Sequence, residues 1–248
     1  MTDTLAKRYK HFIHEVTHHF RYRLSPTSEE FLSDVVDAAS KYIVQLDQGT
    51  LLYRARANEL EHCGDIKQPK ATARPACDMK PAPNVVSEGR ANPDNICALY
   101  LADHAGTALA EVRAGTRYPV TVGTFRTTRD LQIVDLTKEM NWHSYFFDPP
   151  KEGGDLWYDL SYDFSKPLNP HETRTHYAKT QIIAEAFKHH GYDGVRYRSQ
   201  FFAHEQNIGS AEIRGTNYAL FDLRSAECEE CNVYQLTEQH AVFRQYNT

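Results

Sequence analysis

The stretch from Gly89 to Gly115, GRANPDNICALYLADHAGTALAEVRAG, combines two short elements. The run ICALYLA is apolar, which favours a strand buried in a sheet. The following AGTALAEVRAG has helical periodicity, and Glu111 lies near its end. One side of that helix carries Ala105, Ala108, Leu109 and Val112. The stretch therefore predicts a buried strand followed by a short helix with a carboxylate close to its C-terminus.

Strands outnumber helices in the rest of the central region. Short apolar or alternating runs predict strands at LLYRAR (51–56), VTVGTFRT (120–127), LQIVDL (131–136), DGVRYRS (193–199) and NYALFDL (217–223). A further helix is predicted from Thr175 to His190, where Gly191 ends it. Many strands with few helices predict an α+β fold with a mainly antiparallel or mixed sheet.

Residues 1–50 are predicted to form an N-terminal helical extension. Thr27 and Glu30 have the spacing of a capping box, and Gly49 is placed to end the helix. The apolar stripe of this helix consists of Phe31, Leu32, Val35, Val36, Ala39, Tyr42, Ile43 and Leu46.

The remaining chain is divided at changes of composition. We predict a main body over residues 51–225, with an irregular insertion at 57–88 and a C-terminal tail at 226–248. A long ordered loop is predicted at 139–173, because this segment combines Pro149-Pro150 and Gly153-Gly154 with many aromatic residues. Loops of this kind often border functional sites.

The composition is that of a globular protein, with 41% hydrophobic residues among 248. The longest apolar run, Ile96 to Ala102, is far shorter than the roughly 18 residues that a membrane helix needs. A net charge of −5 disfavours binding to a nucleic-acid backbone. Five cysteines fit reduced thiols, and the first residues show no secretory signal. We therefore expect a cytoplasmic protein that binds neither membranes nor nucleic acids.

Two groups of residues have the composition of metal sites. His14-Glu15-Val16-Thr17-His18 matches the H-E-x-x-H pattern of zinc hydrolases, although no third ligand follows at a recognised spacing. We interpret it as a chance match on a solvated helical face. Cys228 and Cys231, with Cys63 and Cys77, have the residue types of a structural zinc site, but the spacing of the second pair is incomplete. No metal is expected in the catalytic reaction.

Five residues spread through the body share a chemistry that suits a pyrophosphate dinucleotide. They are Arg54, Arg90, Tyr100, Glu111 and Ser199. Arginine pairs bidentately with phosphate, tyrosine offers a face to a ring, and a carboxylate stabilises positive charge at an anomeric carbon. No G-x-G-x-x-G follows a strand, so nothing indicates a Rossmann enzyme that transfers hydride.

The order and spacing of several blocks resemble the RES domain family, named for Arg, Glu and Ser. These blocks are LLYRAR, GRANPDNICALYLADHAGTALAEVR, TVGTF…IVDL, DFSKPL…YAKTQIIAEAFKHHGYDGVRYRS and NYALFD, from about Leu51 to Asp222. The resemblance implies an ADP-ribosyltransferase-like fold with NAD as the substrate and no required cofactor. By position, Arg54, Arg90, Tyr100, Glu111 and Ser199 match the family's pocket residues. Tyr53 and Gln181 are further candidates.

The resemblance also implies a role as the toxin of a toxin–antitoxin pair. The expected reaction is cleavage of the bond between nicotinamide and ribose, by an NAD phosphorylase or an NAD glycohydrolase, with protein ADP-ribosylation as the alternative. Expected partners are NAD, inorganic phosphate and a helix-turn-helix antitoxin, which the N-terminal extension could instead replace. A non-enzymatic interaction module and a zinc hydrolase using His14 and His18 remain alternatives of other classes.

The mechanistic hypothesis assigns a role to each pocket residue. Arg54 and Arg90 hold the pyrophosphate, and Tyr100 packs on the nicotinamide-ribose end. Ser199 orients ribose hydroxyls, while Glu111 stabilises the oxocarbenium-like transition state. The acceptor, which is phosphate, water or a protein side chain, stays open.

Overall fold

An eight-stranded sheet forms the centre of the molecule. The computed structural model describes residues 5–63, 66–82, 86–115, 118–137, 156–166, 177–203 and 213–235. The helices in these ranges are α1 Leu5–His18, α2 Pro26–Ala39, α3 Ala105–Val112, α4 Leu156–Ser165 and α5 Ala178–His190. The strands are β1 Ile43–Leu46, β2 Leu51–Ala57, β3 Leu60–Cys63, β4 Ile66–Pro69, β5 Leu99–Ala102, β6 Pro119–Thr127, β7 Leu131–Asp135, β8 Gly194–Ala203, β9 Ile213–Leu220 and β10 Ala226–Gln235.

The main sheet is mixed, with the strand order β1-β7-β8-β9-β5-β2-β6-β10. Strands β7 and β8 pair in parallel, and the other pairs described in this sheet are antiparallel. A separate two-stranded sheet consists of β3 and β4. The predicted α+β class and the mixed sheet are therefore confirmed.

Apolar residues cover both faces of the main sheet. Along β9, Ala219 belongs to one core, whereas its neighbours Tyr218 and Leu220 belong to the other, as the alternation of side chains along a strand requires. The larger core includes Phe12, Phe31, Trp157, Leu160 and Phe187 from α1, α2, α4 and α5. The smaller core includes Leu52, Met79, Phe125, Leu131 and Ile133. The helical layer thus stabilises only one face.

The second helix begins and ends earlier than its sequence predicts. Its N-cap is Ser25, whose hydroxyl accepts a hydrogen bond from the Ser28 amide, so the capping box predicted at Thr27 is wrong. The helix ends at Ala39, and residues Ile43–Leu46 form strand β1 against β7. This segment, IVQL, contains two β-branched residues, and pairing with an edge of the sheet overrides the helical periodicity.

Three other predicted segments contain more regular structure than expected. The insertion at 57–88 holds the β3–β4 hairpin and a 3-10 turn at Ala76–Met79. Within the loop predicted at 139–173, Leu156–Ser165 is helix α4, and most of the remaining segment lies outside the described residues. The tail predicted from residue 226 begins as strand β10, which pairs with β6 along its whole length.

Candidate active site

A cavity of about 640 Å³ lies beside the sheet, where residues of β2, β5, α3 and the segment 86–90 come together. Tyr177, Tyr197 and Asn217 complete part of its wall. This volume falls within the range of about 300–1,000 Å³ that is typical of small-molecule sites.

Residues Gly89–Asn92, named here the arginine loop, form one wall and present Arg90. The loop closes on itself through a 2.9 Å hydrogen bond from the Gly89 amide to the Asn92 carbonyl. The hydroxyl of Tyr100 accepts a bond from the Ala91 amide at 2.9 Å and donates to Asn92 Oδ1 at 2.7 Å. A single buried hydroxyl therefore fixes both the backbone and a side chain of the loop.

Glycine at position 89 leaves room for that hydroxyl. A Cβ at this position would lie 2.5 Å from the Tyr100 oxygen and 2.8 Å from Asn92 Oδ1. Both distances are far below ordinary contact, so any side chain here would displace the network that holds the arginine loop.

Arg90 lies among aromatic and acidic groups. Its guanidinium carbon is 5.6 Å from the centre of the Tyr197 ring, a cation–π distance, and Nε donates to the Lys166 carbonyl at 3.4 Å. Burial alone would lower the pKa of Arg90, but Tyr197, Tyr177 and Glu111 outweigh it and raise the pKa above its usual value. Arg90 is therefore a firmly charged cation in the cavity wall.

Arg54 has a different environment, on strand β2. Its Nη1 atom is buried and has no hydrogen-bond partner among the described residues. Burial, with a contribution from the charge of Arg56, lowers the pKa of Arg54 to about 10, although Tyr100 opposes this shift. An isolated buried cation is unfavourable, and an anion in the cavity would compensate it.

Glu111 is held on α3 by two donors from the sheet. Ser199 Oγ on β8 donates to Glu111 Oε1 at 2.7 Å, and Asn217 Nδ2 on β9 donates to the same oxygen at 2.6 Å. The other oxygen, Oε2, has no hydrogen-bond partner among the described residues. One oxygen thus fixes the carboxylate, while the second is available to a ligand.

The close approach of α3 to the sheet requires glycine on β9. A Cβ at Gly215 would lie 1.9 Å from Thr107 Oγ1, and at this distance the two atoms would overlap. The small residue therefore allows the helix to bring Glu111 within hydrogen-bonding distance of Ser199 and Asn217.

The structure brings most of the predicted site residues into this cavity. Tyr53, Arg54, Arg90, Tyr100 and Glu111 are in its wall. Ser199 lies behind Glu111, 6% exposed. Gln181 is buried behind the arginine loop, where Nε2 donates to the carbonyls of Gly89 and Asn92 at 2.9 and 3.0 Å.

Sequence reasoning missed several residues of the cavity wall, among them Arg56, Tyr177, Tyr197 and Asn217. Arg56 follows Arg54 by two positions on the same strand, and its guanidinium donates to the Asp78 carbonyl. Tyr197 lies two residues before Ser199 and therefore shares its face of β8, a periodicity that could have identified it. Asn217 carries no signal of its own in the sequence.

The H-E-x-x-H segment is part of the helical layer. Glu15 accepts hydrogen bonds from the amide and hydroxyl of Ser25, each at 2.6 Å, and from the Ser28 hydroxyl at 2.7 Å. Burial acts against its charge, but these bonds prevail and hold the pKa of Glu15 below its usual value. His14 and His18 are exposed. Glu15 therefore connects α1 to the N-terminus of α2, and its carboxylate is already occupied.

The C-terminal cysteine pair lies on β10, where Cys228 Sγ and Cys231 Sγ are 3.6 Å apart. Burial and the neighbouring Cys231 raise the pKa of Cys228 to about 12. In the described part of the chain, no three His, Cys, Asp or Glu side chains form a metal-binding group. The Cys63 side chain lies outside the described residues, so the alternative of a four-cysteine zinc site is not tested.

Comparison with known proteins shows the family to which this chain belongs. The RES domain model matches residues 52–243, most of the chain, so the protein belongs to the RES domain family, and the predicted resemblance is confirmed. A solved structure, the M. tuberculosis MbcT–MbcA toxin–antitoxin complex, is similar with a TM-score of 0.43 and 14% identity. The similarity covers 82% of this chain and 92% of that one. No curated protein matches.

In the ranges that the structure describes, no helix is sufficiently long and apolar to cross a bilayer.

Proposed function

We propose that this protein is an NAD-consuming enzyme that cleaves the bond between nicotinamide and ribose, and that it acts as the toxin of a toxin–antitoxin pair. Membership of the RES domain family supports the toxin role. The cavity supports the chemistry, because its wall combines three arginines with two glutamates and four tyrosines.

The observation that carries the proposal is the buried Nη1 of Arg54, which has no hydrogen-bond partner in the described part of the chain. A phosphate oxygen at this atom would supply the missing acceptor and restore the ordinary pKa of the guanidinium. Arg90 lines the same cavity, so the two cations can share one pyrophosphate. The tyrosine rings beside Arg90 provide apolar surface for the adjoining ribose and nicotinamide.

Glu111 supplies the charge that this reaction needs. When the C1″–N bond breaks, its electron pair goes to nicotinamide, which leaves as a neutral ring, and positive charge develops on the ribose. A carboxylate fixed by Ser199 and Asn217 stabilises that charge without reorienting. A water oxygen then bonds to C1″ and releases a proton to solvent, or an anionic phosphate oxygen bonds to C1″ directly.

The direct test is incubation of the full chain with NAD, with and without phosphate, and identification of the products by mass. Hydrolysis yields ADP-ribose, phosphorolysis yields its 1″-phosphate, and protein modification yields a mass increase on a polypeptide. Glu111→Gln should stop NAD consumption, whereas Glu185→Gln, an exposed change on α5, should not. Intact NAD after incubation with wild-type protein would refute the enzymatic proposal and favour an interaction module.

The toxin role has a separate test in cells. Induced expression of the chain alone should lower cellular NAD before growth stops, and Glu111→Gln should abolish both effects. Normal growth with unchanged NAD, at a protein level confirmed by blotting, would contradict the toxin role.

A further inference from the structure

The side-chain amide of Gln181 lies behind the arginine loop. It forms hydrogen bonds with two backbone carbonyls of the loop and with one side chain from outside it. Gln181 is only 2% exposed. Both hydrogens of Nε2 are used, one on the Gly89 carbonyl and one on the Asn92 carbonyl. These carbonyls flank Arg90 on both sides, so the position of this amide determines where the loop presents its guanidinium.

The remaining partner of this amide comes from the N-terminal extension. Arg21, in the segment between α1 and α2, donates from Nη2 to Gln181 Oε1. Its neighbours Phe20 and Tyr22 are 61% and 92% exposed, whereas Arg21 is partly buried and points back to the helical layer. Arg21 also lies outside the residues 52–243 that match the family.

We propose that Arg21 is a positioning residue for NAD binding, acting through Gln181 on the arginine loop. The inference rests on the proposed function, because it assigns Arg90 to the NAD pyrophosphate. Arginine is a donor only, so it fixes which end of the amide faces the loop: Oε1 accepts from Arg21, and Nε2 is directed to the two carbonyls. A cation on Oε1 also polarises the amide and strengthens both N–H donors.

The contact between Arg21 and Gln181 connects the N-terminal extension to the site, although the extension lies outside the cavity. Helices α1 and α2 pack against α5, the helix that carries Gln181. The segment between them is held at its other end by the bonds of Ser25 to Glu15. A segment fixed in this way holds Arg21 against Gln181, and any change that withdraws Arg21 loosens the arginine loop.

The first experiment measures the arginine loop directly, by hydrogen exchange of the full chain without NAD. Arg21→Ala should speed exchange of a peptide covering residues 86–95 by about 3- to 10-fold relative to a peptide from β6, which is the factor expected for the net loss of about one ordinary hydrogen bond. Arg21→Lys, which keeps a cationic donor, should recover part of the protection. Arg23→Ala, an exposed change in the same segment, is the matched control. Unchanged exchange in Arg21→Ala overturns the inference.

The second experiment separates positioning from stability. Arg21→Ala should raise KM for NAD by about 3- to 10-fold with kcat nearly unchanged, and should have no further effect on KM in an Arg90→Ala background. Fully additive effects would contradict an action through Arg90. If wild type leaves NAD intact but Arg21→Ala still loosens residues 86–95, the proposed function fails and the structural link stands. If wild type consumes NAD and Arg21→Ala changes neither exchange nor KM, the inference alone fails.

Discussion

The two sides of the cavity hold their charged groups by opposite means. On the framework side, Arg54 and Glu111 lie on strand β2 and helix α3, whose backbones are fixed by regular hydrogen bonds. On the loop side, Arg90 lies on an irregular segment that side chains of Tyr100 and Gln181 hold in place. The framework side therefore keeps polar atoms available for a ligand, whereas the loop side uses them to build its own structure.

This difference predicts where a mutation will act. Changes on the framework side remove a group that meets the ligand and should affect the reaction or the bound anion strongly. Changes on the loop side shift the position of Arg90 without removing its charge, and should mainly weaken the affinity for NAD. The predictions below order these effects from the largest to the smallest.

Glu111→Gln should give the largest effect, a loss of roughly 100-fold or more in kcat with little change in NAD affinity. The change keeps the size of the side chain but removes the negative charge that faces the ribose in the transition state. Steady-state kinetics with NAD, monitored by release of nicotinamide, measures it. Exposed Glu185→Gln is the control. Full activity in Glu111→Gln would remove this carboxylate from the mechanism.

Arg54→Met should weaken NAD binding by about 30-fold and, without NAD, stabilise the fold. Removing a buried cation whose Nη1 has no partner among the residues that the structure describes should raise the free energy of unfolding by about 1 kcal/mol or more, which corresponds to an increase in Tm of about 2–4 °C. Isothermal titration and thermal denaturation provide the two measurements. At the same NAD concentration, the increase in Tm should be smaller for the variant than for wild type.

The pH dependence of this stability difference follows from the lowered pKa of Arg54, about 10. Below about pH 10 both the folded and the unfolded state bind the proton, so the penalty for burying the charge is fully present. Above that value the folded state releases the proton first, and the penalty declines. The Tm advantage of Arg54→Met should therefore shrink as the pH rises through 10, and a constant advantage would show that its origin is not the charge.

The framework side could be predicted from the sequence because its residues lie on periodic elements. LLYRAR and AGTALAEVRAG have the patterns of a strand and a helix, and the structure contains both. Arg54 and Glu111 were therefore recognisable as residues at fixed positions on regular structure. Asn217 could not be predicted, because its bond to Glu111 joins residues 106 positions apart and depends on sheet pairing.

The loop side was harder to predict because its geometry depends on tertiary contacts. Gln181 is a helical residue whose role became visible only when α5 was placed against Gly89 and Asn92. The edge strands show the same limit: Ile43–Leu46 continues a helical stripe in sequence but pairs with β7 in the fold. Local periodicity does not reveal which edge of a sheet is available for pairing.

Arg90→Lys should weaken NAD binding by about 10-fold with a small effect on kcat. Lysine keeps the charge but loses the planar fork that pairs with phosphate and stacks on Tyr197. Arg23→Lys, an exposed substitution, is the control for titration of NAD. If Arg90→Lys and Arg23→Lys bind NAD with equal affinity, the pyrophosphate is assigned to Arg54 and its strand neighbour Arg56. The loop side would then line the cavity without contacting the pyrophosphate.

Tyr100→Phe should give the smallest effect on NAD, about a 3-fold rise in KM with kcat unchanged, together with a lower Tm. The ring stays, but the Ala91 amide loses its acceptor and Asn92 Oδ1 loses its donor. Gln181 still holds the loop from the other side, so Arg90 is loosened and not lost. Tyr9→Phe is a matched control, since that buried hydroxyl bonds Asp163 in the helical layer at 2.5 Å and its loss should lower Tm without changing KM. If Tyr100→Phe lowered kcat as strongly as Glu111→Gln, the hydroxyl would act in the reaction itself, and the division between a chemical framework side and a binding loop side would not hold.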